Sequence, residues 1–191
     1  WTKYLDSADY DRATELIQSY QAGTITAEVF YGVVDKLLTD SNDDKHILAV
    51  YALGATPSTK SFLMLSAAEV NEKLSADVHG DAAKHLQNYA TFEQVRYLNG
   101  VLTSKENEAA SLRAIALLMF ALNKAKTDSQ PGEQNQEPGV PANPRAPASN
   151  PSRYFTVFQP TLSRIVQSGG NLSGDAQQAL GIIASLAASA T

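Results

Sequence analysis

Six of the eight prolines in this 191-residue chain fall between Pro131 and Pro151. Proline fixes φ and has no backbone N–H, so that stretch can be neither a helix nor a central strand. Gly, Gln, Asn and Glu fill the gaps between the prolines. The chain therefore divides into a helix-permissive stretch at 1–127, a proline-rich loop or linker at 128–151, and a short ordered segment at 152–191 that is expected to dock on the first.

Residues 9–126 carry helical periodicity throughout. Tyr10, Ala13, Leu16, Ile17 and Tyr20 share one face of a helix, and Gly23 offers a left-handed stop after it. Thr26 can cap a second helix with Phe30, Val33, Val34, Leu37 and Leu38 inward. The polar run Asp40–Asp44 reads as a turn and cap before Ile47, Val50 and Tyr51. Pro57 and Ser58 start a fourth helix, with Leu63, Ala67, Val70 and Leu74 as its expected inner stripe. A fifth is expected from about Asp81. Thr91-x-x-Gln94 fits a capping box before Phe92, Val95, Leu98 and Leu102. Thr103 or Ser104 should cap a long helix over 105–126, apolar on nearly all sides between Leu112 and Leu122 and so expected to be central.

Beyond the prolines, Tyr154, Phe155, Val157 and Phe158 form an aromatic cluster that fits a short strand or one helical turn. Leu162, Ile165 and Val166 predict a helix ended by Gly169-Gly170, and Ser173 starts a last helix with Ala176, Leu180, Ile183 and Leu186 inward. The fold class expected is all-α, with about nine helices.

Pairing the helices puts pair starts near residues 9, 44 and 81, at roughly constant spacing in the 20–50-residue range of stacked helical repeats. His46-Ile-Leu-Ala-Val-Tyr-Ala-Leu-Gly54, then Pro57 and Phe62-Leu-Met-Leu65, resembles a HEAT-type unit. The resemblance covers 45–75 by pattern and the rest of 9–126 by length. It implies a short helical-repeat stack; an irregular helical bundle is the other architecture open to this chain.

Composition removes several functions. With no cysteine, a disulfide scaffold, a thiol nucleophile, a Cys-ligated zinc and an iron–sulfur cluster are excluded. The formal charge of −5 opposes a nucleic-acid footprint, which needs clustered Lys and Arg. The longest apolar run, Ala114 to Leu122, is far short of the ~20 residues of a membrane span. The chain begins at Trp1 rather than Met, as a processed or excerpted sequence does.

No catalytic arrangement stands out. His79, Asp81 and His85 are the best metal candidate, since Asp81 and His85 share a helix face, but the spacing is not a known ligand pattern and no metal or cofactor is expected. Asp40-x-Asn42-x-Asp44 opens like a calcium loop and then fails, with Lys45 and Tyr51 where Gly and Glu are required. Ser168–Gly174 lacks the lysine of a phosphate loop. Two P-x-x-P matches, from Pro141 and from Pro144, could engage a proline-reading domain.

Tyr31 and Tyr97 flank the apolar stripes of their helices, as aromatics lining a peptide groove would. Tyr10 and Tyr20 fit the core stripe. The function expected is a non-enzymatic interaction module that binds a protein or peptide partner, with Tyr31 and Tyr97 as candidate binding residues. The alternatives are a self-associating structural or cell-envelope protein, in keeping with low charge and the small-residue helix Gly181–Ala190, or a helical enzyme or small-molecule binder with an unadvertised pocket.

Overall fold

The computed structural model describes residues 9–129 and 152–188; the proline-rich segment between them lies outside the described residues. Every regular element described is helical, so the all-α expectation holds. Nine α-helices of nine or more residues are joined by one four-residue helix and two 3-10 turns among the described residues. None is long and apolar enough to cross a membrane. The chain forms two compact units, residues 1–114 and 115–191, dividing inside one helix.

The first unit holds α1 (Tyr10–Gln21), α2 (Ala27–Leu38), α3 (Asp43–Ala55), α4 (Thr59–Glu69), α5 (Ala76–Gln87), α6 (Arg96–Ser104) and the start of α7 (Glu108–Ser129). Side chains cap most of these starts. Thr26 Oγ1 accepts from Val29 N, Asn42 Oδ1 from Asp44 N, and Ser58 Oγ from Ser61 N, as their positions in the sequence predict.

The central helix of this unit is α3, which packs against α1, α2, α4 and α5. His46, Leu48, Ala49, Val50, Ala52 and Leu53 are all buried, which places core residues almost all round its axis. Its small residues let several neighbours approach at once. The sequence assigned the central role to α7, and that expectation is corrected. Ala114, Ile115, Leu118 and Leu122 of α7 are buried, but Leu112, Ala116 and Phe120 recur every four residues on an exposed face. Apolarity on all sides did not distinguish a surrounded helix from one with an uncovered apolar stripe.

Three helix starts differ from expectation. α5 begins at Ala76, capped by Ser75, and Asp81 lies inside it. The Thr91 capping box does not form: Thr91 Oγ1 donates to the Asn88 carbonyl at 2.8 Å, residues 91–95 make a turn, and Phe92 is exposed. Thr103 and Ser104 end α6 instead of starting α7. Lys105 takes a left-handed conformation, and Asn107 Oδ1 accepts from Ala110 N to cap α7. α4 also turns by one face. Its buried residues are Ser61, Phe62, Leu65, Ser66 and Ala68, while Leu63 and Met64 are half-buried and Ala67 and Val70 exposed. Both faces of α4 are apolar, so periodicity could not tell which one meets the core.

Gly54, near the end of α3, lies against the His85 ring of α5, and a Cβ at Gly54 would collide with that ring. Helix propensity alone favours Ala over Gly by ~1 kcal/mol. Gly54→Ala is nevertheless expected to destabilise the protein by about 1–3 kcal/mol through overpacking. In a His85→Ala background the same change should become neutral or stabilising. Urea unfolding of the four proteins in this cycle checks it; a stabilised single Gly54→Ala variant would show that the helices are not this close.

The second unit contains the rest of α7, then α8 (Ser152–Phe155), a 3-10 turn (Thr156–Phe158), α9 (Gln159–Ser168) and α10 (Ser173–Ala188). The aromatic cluster is helical, not a strand. Phe155 and Phe158 are buried; Tyr154 and Val157 point outward. Leu162 of α9 is buried, as are Ala176, Ala179, Ile182, Ile183 and Leu186 of α10, and α9 and α8 both pack on α10. Leu180, expected inward, is only half-buried. Pro160 sits in the first turn of α9, where its missing N–H costs nothing. Gly169 and Gly170 end α9 with positive φ of 67° and 98°.

Candidate functional site

The first unit carries an open groove of about 630 Å³ where α1, α2, α4 and α6 meet. Tyr20, Ala27, Glu28, Tyr31, Ser58, Thr59, Lys60 and Tyr97 line it. Tyr31 and Tyr97, 66 positions apart in the chain, thus both line the same groove.

Ring packing holds the tyrosines. Tyr20 stacks on Phe30 with centroids 4.4 Å apart and meets Tyr31 edge-on at 6.1 Å; Phe30 meets Tyr31 edge-on at 5.1 Å. On the other side Tyr89 stands edge-on to Phe62 at 5.0 Å and to Tyr97 at 6.0 Å. Tyr20, assigned to the core by its sequence position, is in part a groove residue. Tyr10, assigned likewise, is exposed beside Tyr51.

Hydroxyl groups fix the base of the groove. Tyr31 Oη lies 2.6 Å from Ser58 Oγ and 3.0 Å from Ser61 Oγ. Ser61 Oγ donates to the Thr56 carbonyl at 2.7 Å. Tyr89 Oη donates to the Ser58 carbonyl and accepts from its N–H, each at 3.3 Å. The serine that caps α4 thereby also orients Tyr31 and Tyr89. Such a satisfied network holds Tyr31 in place. Tyr31 is only 6% exposed, so it contributes little area to the groove, less than the half-buried Tyr20 and Tyr97.

Burial, then the neighbouring Tyr31, raises the pKa of Tyr20 above the usual phenol range, and burial does so strongly for Tyr89. Both stay neutral near pH 7. The groove therefore offers neutral aromatic and hydroxyl surface with two charges on its rim, Glu28 and Lys60. Lys60 Nζ lies 5.2 Å from the Tyr31 ring centroid, and the Arg96 guanidinium lies 4.8 Å from that of Tyr97.

A second groove of about 500 Å³ adjoins the first. It is lined by Thr59, Lys60, Leu63, Met64, Ala67, Ser104, Glu106 and Asn107. The face of α4 first assigned to the core is the face that lines it. Sequence reasoning missed Lys60 altogether, and no local signal marks it: its role comes only from where α4 meets α2 and α6.

The other sequence candidates are not assembled. His79 Nε2 lies 2.8 Å from the Asn71 carbonyl, Asp81 pairs with Lys84 at 3.0 Å, and His85 rests on Gly54. No three His, Cys, Asp or Glu side chains group as metal ligands among the described residues. Asp40 pairs with Lys45 at 2.8 Å, and Asn42 caps α3.

Burial lowers the His85 pKa; Asp81 opposes this and Lys84 adds to it. The unfolded chain then takes up the proton more readily, so stability rises with pH across this window. This contribution is complete above the ordinary histidine value of about 6.5 and is lost as pH falls through the lower folded value. Urea midpoints should therefore drop more between pH 7.5 and 5.5 in the parent than in His85→Gln. Equal drops would mean the ring is freely solvated.

No protein-family model, curated protein or solved structure matches this chain, so its functional reading rests on the groove residues themselves.

Proposed function

We propose that this chain is a non-enzymatic interaction module that holds a segment of a partner protein in the tyrosine groove. The observation that supports this is the convergence of Tyr20, Tyr31 and Tyr97, from three different helices, on one open surface. Tyrosine provides large amphipathic contact area with only two side-chain torsions to immobilise, which suits it to recognition. The rings are braced from behind by Phe30 and by Tyr89, which itself packs on Phe62, so little order has to be created on binding.

A random 12-residue peptide library displayed on phage and selected against the immobilised full chain tests this. Peptides should be recovered, and Tyr97→Ala should weaken them by about tenfold or more, as loss of a central aromatic anchor does. Tyr10→Ala, an exposed tyrosine outside the groove, should leave them unchanged. Recovery of no peptide, or equal binding by Tyr97→Ala, overturns the reading.

Self-association is the second reading, and the exposed Leu112–Ala116–Phe120 face of α7 supports it. On that reading the chain runs as an oligomer in size-exclusion chromatography with mass detection, and Phe120→Asp returns it to a monomer.

A further inference from the structure

The two grooves adjoin at Thr59 and Lys60, which line both. On the α6 side Tyr97 lines the first groove and Ser104 the second, with Gly100 between them on the same face of the helix. A Cβ on Gly100 would lie 2.5 Å from Thr59 Oγ1, so α6 packs closely on the start of α4 here. The face of α4 from Thr59 to Ala67 is about 12 Å long at ~1.5 Å per residue, enough for roughly four extended residues of a ligand.

Charge alternates along this surface. Glu28 belongs to the tyrosine groove, Lys60 to both grooves and Glu106 to the second. Among the described residues none of the three forms an ion pair. Lys60 is exposed, with the Tyr31 ring as the neighbour of its ammonium. Lys60 has no acidic partner of its own to displace when it meets a ligand carboxylate, unlike Lys45 and Lys84, which already face Asp40 and Asp81.

We propose that the adjoining grooves together take a short peptide segment with a carboxylate side chain at its centre, paired with Lys60, and basic side chains toward its ends, facing Glu28 and Glu106. The centre of the ligand lies over Thr59 and Lys60. One flank meets the tyrosines and the other meets Leu63, Met64 and Ala67, so apolar or aromatic side chains fit between the charges. This specifies the ligand of the interaction module proposed above and rests on that reading.

The test uses the same peptide library on the full chain, with Lys60→Glu and Lys60→Met as parallel targets. Both substitutions are at an exposed side chain, and equal thermal midpoints verify that the fold is kept. Peptides selected on the parent should share an Asp or Glu at one position. They should bind Lys60→Met about threefold to fivefold more weakly, the scale of an exposed ion pair, and Lys60→Glu more weakly still. Selection on Lys60→Glu should place Lys or Arg at that same position. The parent affinity should also fall as salt rises from 50 to 500 mM. If the parent peptides lose binding to Tyr97→Ala but bind all Lys60 variants equally, the charge assignment is wrong and the interaction module stands. If no peptide is recovered, both fall together.

Discussion

Leu118→Asp is expected to be the most damaging substitution at the centre of α7, lowering stability by about 4 kcal/mol or more. Leu118 is fully buried. The change removes the burial of a leucine, worth ~1.5–3 kcal/mol, and puts an unpaired carboxylate where water cannot reach it. In a chain of this length each kcal/mol moves the thermal midpoint by roughly 2–4 °C, so a fall on the order of 10 °C is expected. Phe120→Asp is the control two residues away. Phe120 is 64% exposed on the opposite side of the helix, and its replacement should change stability by no more than about 0.5 kcal/mol. Paired melts of the two variants separate burial from any general intolerance of acid in this helix. Equal losses, or an unchanged Leu118→Asp midpoint, would mean that the buried face of α7 is not the one formed by Ala114, Leu118 and Leu122.

The same helix shows how far periodicity can be read. A pattern of apolar residues every three or four positions identifies a helix, and it did so for α1 to α7, α9 and α10, although α5 starts five residues before the expected Asp81. It ranks faces only when one of them is polar. α7 and α4 have apolar residues on two faces, and the choice between them depends on which neighbours arrive, a tertiary property. On α4 the chosen face is Phe62 and Leu65, leaving Leu63 and Met64 for the second groove. Caps were legible where a single Ser, Thr or Asn preceded the apolar run, as at Thr26 and Ser58. They were misread where two capping residues competed. Asn107 prevailed over Thr103 and Ser104 because α6 runs through both before Lys105 breaks it. Ser75 was overlooked because Asp81 looked like the better start, and an acid inside a helix can as readily pair with the lysine three residues on.

The groove was half legible. The sequence marks Tyr31 and Tyr97 as residues flanking the apolar stripes of their helices, but Tyr31 is buried with Phe30, Val33 and Val34 in the stripe of α2 and only touches the groove. That Tyr31 and Tyr97 line one surface could not be read, because their helices are separated by three others in the chain. Tyr20 was hidden because it lies on the stripe of α1, stacks on Phe30 and still reaches the groove. Lys60 looked like any surface lysine.

Phe30→Ala should couple stability to the groove. Phe30 is fully buried, yet it does not line the groove itself. Its ring carries the stacked Tyr20 ring and the edge of Tyr31, so it is the support on which both groove tyrosines rest. Removing it should cost about 3–5 kcal/mol, as large core truncations of phenylalanine do. The vacated space lies directly behind the groove wall, and Tyr20, only half-buried, is the side chain free to fall into it. Tyr31 is less free, being held by Ser58 and Ser61 at 2.6 and 3.0 Å. Peptide binding should therefore weaken even under conditions where the variant remains folded, and near-ultraviolet circular dichroism should lose tyrosine signal. Phe30→Leu fills most of the space and should recover much of the stability while recovering less of the dichroism, since it restores bulk but not the stacked ring. Urea unfolding, dichroism and peptide affinity measured on these two variants check the argument together. A Phe30→Ala protein that is destabilised yet binds peptides at parental affinity would show that Tyr20 holds its place without the ring beneath it, and the groove would then owe its shape to the hydroxyl network at Ser58 alone.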